Sequence, residues 1–250
     1  MRLEDTTIVV TGGSGGLGKA MADAFVAEGA RVVIAGRTES KLADAVDSFD
    51  GPGEATGVRA DVRSPEDVEG LVAGARDAYG AVDVFVNNAG VTGQIARGST
   101  AEPPVAEFDL ETWDTVLDTN LRGAFLCARA VLPGMLEADD GRLIHISSGM
   151  GTSGKPGRAA YVASKHGLEG LAKTIALEVA DTGVDSLVLR PPGGGVHTGS
   201  RSQIGRTAGD ATHEEPDVIG EAAVQLAAGA GENGGRYVGR ADGSGFDADD

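Results

Sequence analysis

Residues 6–36, TTIVVTGGSGGLGKAMADAFVAEGARVVIAG, hold an apolar run, a glycine loop, a helix-period segment and a second apolar run in 31 positions. Short runs rich in Val and Ile, bounded by turn residues, read as buried strands, and the intervening segment reads as a helix closing at Gly29. A strand, helix and strand this close together form a parallel βαβ unit, whose crossover has one permitted hand. The rest of the chain must extend that sheet.

The alternation continues. It predicts a helix over TESKLADAVDSF, a strand over EATGVRA, a helix opening at Ser64-Pro65, and a strand over VDVFVNN. Ser64 suits the cap and Pro65 the first turn. A long helix follows from about Asp109 to Leu136, then strand RLIHIS, a helix over AAYVASKHGLEGLAKTIALEVA and strand SLVLR. PDVIGEAAVQLAA and RYVG supply the last helix and strand. About seven strands alternating with helices predict an α/β, doubly wound Rossmann fold, its parallel sheet covered by helices on both faces. With 250 residues and no internal linker, residues 1–250 read as a single domain.

Composition limits the functions open to such a domain. There are 38 acidic and 21 basic residues, a formal charge of −17, and only five of the bases are lysine, so no basic face for nucleic acid is expected. The acidic surface suits a high-salt cytosol, a halophilic reading that rests on charge screening. No apolar run reaches the roughly 20 residues a membrane helix needs, and MRLEDTTIVV lacks a signal-peptide layout, so a cytoplasmic protein with no membrane partner is expected. Cys127, the single cysteine, falls in an apolar helical pattern and reads as a core residue. The four histidines show no zinc-type spacing, so no metal is expected.

The loop TGGSGGLG stands between a strand and a helix. There glycines permit a tight turn and close approach to a pyrophosphate, whose charge meets the free amides of the helix start; Gly12, Gly16 and Gly18 are assigned that task. The second strand ends VIAGRT. Gly36 offers no carboxylate for a ribose 2′-hydroxyl, whereas Arg37 can pair with a 2′-phosphate and Thr38 can add a hydroxyl, so NADP(H) is favoured over NAD(H). Asp61, after the third strand, is a candidate for the adenine edge or a helix cap.

Ser148, Tyr161 and Lys165 are separated by thirteen residues and then four. Tyr161 and Lys165 share a helical face, and Ser148 ends a strand whose carboxyl edge borders the ligand crevice. A phenol titrating near 10 is a poor acid at neutral pH, but a neighbouring ammonium favours its ionised form. Tyr161 is therefore the expected proton donor and acceptor.

These motifs together resemble the short-chain dehydrogenase/reductase family, in its single-domain branch and near its 3-oxoacyl-carrier-protein reductase-like members. The resemblance spans TGGSGGLG, Asp61-Val62, NNAG at 87–90, Asn120 in TNLRGAF, Ser148, and Tyr161 with Lys165 in YVASK. It implies an NAD(P)-dependent oxidoreductase in which Tyr161 shuttles a proton, Ser148 binds the substrate oxygen, and Lys165 tunes Tyr161 and binds the nicotinamide ribose. Asn120 would hold a relay water through its helix backbone. Gly12, Ser14, Gly16, Leu17, Gly18, Arg37, Thr38, Asp61, Val62, Asn88, Ala89, Gly90, Tyr161 and Lys165 would line the cofactor, Asn87 and Gly90 would help shape its wall, and Val196 and Thr198 would meet its amide. The most natural function is an NADPH-dependent ketoreductase, assembled as a homodimer or homotetramer. The alternative outside enzymes is an NADP(H)-binding sensor or scaffold; the family's extended epimerase branch needs more chain than remains after the sixth strand.

Two segments depart from the family. PPGGGVHT is about two residues longer than the usual Pro-Gly…Val-x-Thr stretch, and RYVGRADGSGFDADD only loosely echoes the closing strand. The acidic end, from about residue 242, is expected to be a solvated, flexible tail.

Overall fold

The computed structural model describes residues 2–99, 103–192 and 216–249. Strand β1 (Thr7–Thr11), helix α1 (Gly16–Ala27) and β2 (Arg31–Gly36) form the opening unit. Helix α2 (Glu39–Asp47), β3 (Glu54–Arg59), α3 (Pro65–Tyr79) and β4 (Val84–Asn87) complete the first half. Ser64 caps α3, its Oγ accepting the Asp67 N–H at 3.1 Å, with Pro65 in the first turn as its fixed φ favours.

The second half runs through α4 (Gly93–Arg97), α5 (Leu110–Leu117), α6 (Gly123–Ala138), β5 (Gly141–Ile146), α7 (Ala159–Glu178) and β6 (Val184–Arg190). It ends with α8 (Gly220–Ala227), β7 (Arg236–Gly239) and β8 (Phe246–Ala248). The strand order is β3-β2-β1-β4-β5-β6-β7-β8; the first seven in chain order pair in parallel, and β8 pairs antiparallel to β7. Order reverses between β1 and β4, which opens a ligand crevice at their carboxyl ends.

Two apolar layers follow from the strand period of two. Ile8 and Val10 face Met21 and Phe25 of α1, Leu42 of α2 and Val224 of α8. Val9 faces the other way, with Leu71 of α3, Val131 of α6 and Ile175 of α7. Phe25 is fully buried, and burial of such a side chain contributes about 1.5–3 kcal/mol. Cys127 lies in the second layer, where burial pushes its thiol up to about 12, as its apolar context suggested.

Three elements differ from the sequence expectation. The segment after β4, whose sequence shows no clear periodicity, forms the short helix α4, capped by Thr92 Oγ1 and closed by Gly98 in the left-handed region. The long helix over 109–136 is interrupted by a π-turn at Asp118–Arg122, between α5 and α6. The acidic end is not all solvated tail. Phe246 stacks edge-on against Tyr237 with ring centroids 4.7 Å apart, Arg240 pairs with Asp247 at 2.7 Å, and Asp249 pairs with Arg190.

Candidate active site

The crevice begins at the turn after β1. Gly12 (φ 68°) and Gly16 (φ 53°) adopt the left-handed region, which only glycine enters without strain. Gly18 is required for another reason: an added Cβ would lie 2.3 Å from the Gly12 carbonyl oxygen and 2.5 Å from Asn88 Nδ2. Helix α1 thereby packs directly on the loop.

Its N-terminus is capped by Gly15, with no side-chain cap bond and no acidic residue in the first turn. The first amides of a helix have no intrahelical acceptor, and their combined dipole favours an anion. The geometry fits a dinucleotide pyrophosphate, for which Gly15 leaves open space: an added Cβ there would meet nothing within 4 Å. Gly18→Ala is therefore expected to cost about 1–3 kcal/mol in urea unfolding by overpacking. Gly15→Ala should cost less than about 1 kcal/mol, the size of a lost cap preference. Equal costs would contradict the packing described.

At the end of β2, Ser14 lies close to Gly36, whose added Cβ would be 3.2 Å from Ser14 Oγ. Arg37 and Thr38 are exposed, and the Thr38 hydroxyl makes no cap bond although Thr38 precedes α2. Asp61 is not a cap, since Ser64 fills that role. Its carboxylate is gripped by Arg63, whose Nε donates at 3.0 Å to Oδ1 and whose Nη2 donates at 2.6 Å to Oδ2. Those bonds, aided by the charge of Arg37, hold Asp61 below the usual carboxylate range. Val62 is buried against Gly123 of α6.

The strand β4 exit is tied to β1 by Thr11. Its Oγ1 accepts the backbone N–H of Asn88 and of Ala89, both at 3.0 Å, and donates to the Val86 carbonyl. Asn88 Nδ2 donates to Thr11 O at 2.8 Å, which closes the two loops on one another. Asn87 turns elsewhere. It is buried, with Nδ2 near the Ala124 carbonyl and His145 Nδ1, so it supports the wall from behind.

Asn120 sits in the π-turn and is 1% exposed. Its Oδ1 accepts the Val91 N–H at 2.7 Å, and its Nδ2 donates to the Val91 carbonyl at 2.9 Å and to Ser164 Oγ at 3.0 Å. Ser164 Oγ in turn donates to the Tyr161 carbonyl at 2.8 Å. The asparagine thus joins the loop after β4 to α7, and the widened turn accommodates it, a common use of π-turns at functional sites. An added Cβ on Gly90 would lie 3.3 Å from Asn120 Oδ1.

Ser148 follows β5, just beyond Ser147. Its Oγ accepts the Met150 N–H at 3.2 Å, which leaves the hydroxyl proton for an external acceptor. Tyr161 is half-buried one helical turn before Lys165, whose Nζ lies 5.7 Å from the Tyr161 ring centroid. Lys165 is 5% exposed, and Nζ donates at 2.7 Å to the Ile146 carbonyl at the carboxyl end of β5. Burial lowers its pKa to about 8, against the opposing pull of Glu169.

His145, wholly buried beside Asn87 and Ser186, is pushed down to about 4 by burial and the Lys165 charge, which leaves it neutral. His166 is exposed on α7. Val196 and Thr198, with His197 and His213, lie outside the described residues. Among the described residues no three His, Cys, Asp or Glu side chains are placed to hold a metal, and no helix is long and apolar enough to cross a membrane.

Sequence reasoning missed Thr11, Ser147, Ser164, Glu169 and Arg190 as parts of this region. A signal existed for the last two: an acid on the buried stripe of α7 and a base ending the apolar strand β6 each need a partner.

A doubly wound sheet, an anion-ready glycine turn at its switch point and a buried Lys165 one helical turn from Tyr161 are the frame of a nicotinamide-dependent oxidoreductase. The comparisons agree. The profile of the family described as short chain dehydrogenase matches residues 6–208. A Synechocystis sp. 3-oxoacyl-[acyl-carrier-protein] reductase is 40% identical over 185 residues, 73% of this chain and 72% of that protein. D-beta-hydroxybutyrate dehydrogenase from Cupriavidus necator is 35% identical over 76% of this chain and 70% of its own. The solved structure of a metagenomic short-chain oxidoreductase in complex with NADP superimposes with a TM-score of 0.77 at 31% identity, covering 92% of this chain and 93% of that one. The chain belongs to the short-chain dehydrogenase family.

Proposed function

We propose that this protein is an NADPH-dependent ketoreductase acting on a carbonyl or, in reverse, a secondary alcohol. The observation that carries the reading is Lys165, a lysine buried and tethered to β5 one helical turn from Tyr161. A buried ammonium is costly, and its position beside a phenol puts that cost to use as proton chemistry. When bound, the nicotinamide cofactor supplies or accepts the hydride. Tyr161 gives a proton to the substrate oxygen in reduction and takes it back in oxidation. The Ser148 hydroxyl donates a hydrogen bond to the same oxygen and orients the carbonyl carbon. Lys165 has two further N–H groups beyond the one held by Ile146, enough to meet the nicotinamide ribose and to favour phenolate on Tyr161. The Asn120 backbone is the proposed holder of a relay water.

The remaining cofactor contacts are assigned to Gly12, Ser14, Gly16, Leu17 and Gly18 for the diphosphate side, and to Val62, Asn88, Ala89 and Gly90 along the wall. Asp61 remains the proposed adenine partner, since carboxylate oxygens bound by Arg63 retain acceptor capacity. Preference for NADPH is supported by Gly36, the exposed Arg37 beside Asp61, and the uncommitted Thr38 hydroxyl. The NADP held by the metagenomic relative points the same way. The names of the two enzyme relatives suggest 3-oxoacyl thioesters and 3-hydroxy acids as the first substrates to test. Exposed Phe125 on α6 and Leu177 on α7 support association into a homodimer or homotetramer, which the mass in solution decides.

Titration with NADPH and NADH in molar salt tests the cofactor reading, the salt reflecting the charge of −17. Loss of one charge-assisted Arg–phosphate contact is worth about 1.5–3 kcal/mol, so Arg37→Ala should weaken NADPH about 10- to 100-fold and leave NADH within about threefold. Equal weakening of both would remove Arg37 from the 2′-phosphate. Tight NADPH binding without turnover of any carbonyl or alcohol would make the protein a sensor or scaffold.

A further inference from the structure

Directly behind Ser148 lies a buried polar chain that the mechanism does not use. Ser147 Oγ donates to Glu169 Oε1 at 2.6 Å. Arg190 grips the same carboxylate with two prongs, Nε to Oε1 at 3.0 Å and Nη2 to Oε2 at 2.7 Å. The two charged side chains are only 5% and 7% exposed. Asp249 of the carboxyl-terminal segment accepts from Arg190 Nη1 on the outer side. The contact is close enough to exclude any side chain at position 151: a Cβ on Gly151 would sit 2.1 Å from Glu169 Oε1 and 2.6 Å from Ser147 Oγ.

We propose that Ser147, Glu169 and Arg190 are positioning residues that hold the 147–151 turn against α7, and that Asp249 ties the carboxyl-terminal segment to this brace. The turn carries Ser148, and α7 carries Tyr161 and Lys165. A connection between them therefore sets how the Ser148 and Tyr161 hydroxyls meet a single substrate oxygen. Three elements are joined at once: the turn after β5 through Ser147, α7 through Glu169 and β6 through Arg190. Isolated buried ions are costly, but this carboxylate has three donors and the guanidinium has two carboxylates, a satisfied arrangement of defined geometry. Its effect on rate rests on the catalytic reading of Ser148 and Tyr161; its effect on the turn does not.

Ser147→Ala removes one hydroxyl and leaves the ion pair, so it is the variant best able to fold. Misplacing a reacting group by a fraction of an ångström is expected to lower kcat about 10-fold or more, while the Kd for NADPH stays within about twofold. Hydrogen exchange of the amides in residues 148–153 should accelerate about 10-fold in the same variant. Glu169→Gln should do likewise, and the double variant should be no worse than Glu169→Gln alone within about twofold, because both act through one contact. Asp249→Asn should raise exchange about threefold. Wild-type kcat and exchange in Ser147→Ala, or losses that multiply in the double variant, would overturn the brace, and unchanged exchange in Asp249→Asn would detach the tail from it. Tyr161→Phe is the control: if it retains wild-type turnover, the catalytic reading fails separately, and the exchange rates alone decide the brace.

Discussion

Tyr161→Phe is expected to yield a folded protein that binds NADPH within about twofold of wild type and turns over its carbonyl substrate about 10²–10⁴-fold more slowly, the usual worth of a positioned proton shuttle. The ring remains on the same face of α7, and the Asn120–Ser164–Tyr161 connection ends on the backbone carbonyl of residue 161, which the substitution leaves in place. Only the hydroxyl is lost. A loss in kcat with an unchanged cofactor Kd identifies an interaction made during reaction rather than in binding. Steady-state rates with a 3-oxoacyl thioester, paired with NADPH fluorescence titration, provide the check. Turnover within about tenfold of wild type would remove Tyr161 from the proton path.

The second large effect is on stability. Lys165→Met should abolish useful turnover, by at least about 10²-fold, and should also change how stability depends on pH. Burial lowers the lysine from its ordinary 10.5 to about 8 in the folded protein. Below pH 8 both states are protonated, and the folded state carries the full cost of a desolvated ammonium. Between 8 and 10.5 the unfolded chain binds more protons than the folded one, so stability rises with pH, and above both values the cost is gone. At about 1.4 kcal/mol per pKa unit, wild type should gain roughly 2–3 kcal/mol relative to Lys165→Met between pH 7 and pH 10. Urea unfolding of both proteins at the two pH values measures this directly. A constant difference would mean that the ammonium is solvated in the folded protein.

Both predictions concern residues whose spacing was legible in the sequence, and the reason is local. Tyr161 and Lys165 lie four apart on one helix, the glycine turn joins a strand to the next helix, and Ser64-Pro65 forms its own cap, so each signal is contained within a few residues. The strand period of two and the helix period of 3.6 are likewise local, which is why seven parallel strands and their covering helices could be read in order. The carboxyl end was legible only in part. Its acidic composition indicated solvent, but Phe246 finds Tyr237 and Asp249 finds Arg190, contacts that require the sheet to exist first.

The same division runs through the site. Asn120 and Asp61 were chosen by motif, yet their partners, Val91 with Ser164 for the first and Arg63 for the second, emerged only with the geometry of a π-turn and of the turn after β3. By itself the sequence determined the fold class, the glycine turn and the spacing of Ser148, Tyr161 and Lys165, because backbone periodicity and steric demand act over short distances. The tertiary structure alone decided that Glu169 meets Arg190 across 21 positions and that both stand behind Ser148, because the pairing of a buried acid with a buried base depends on which elements the sheet brings together.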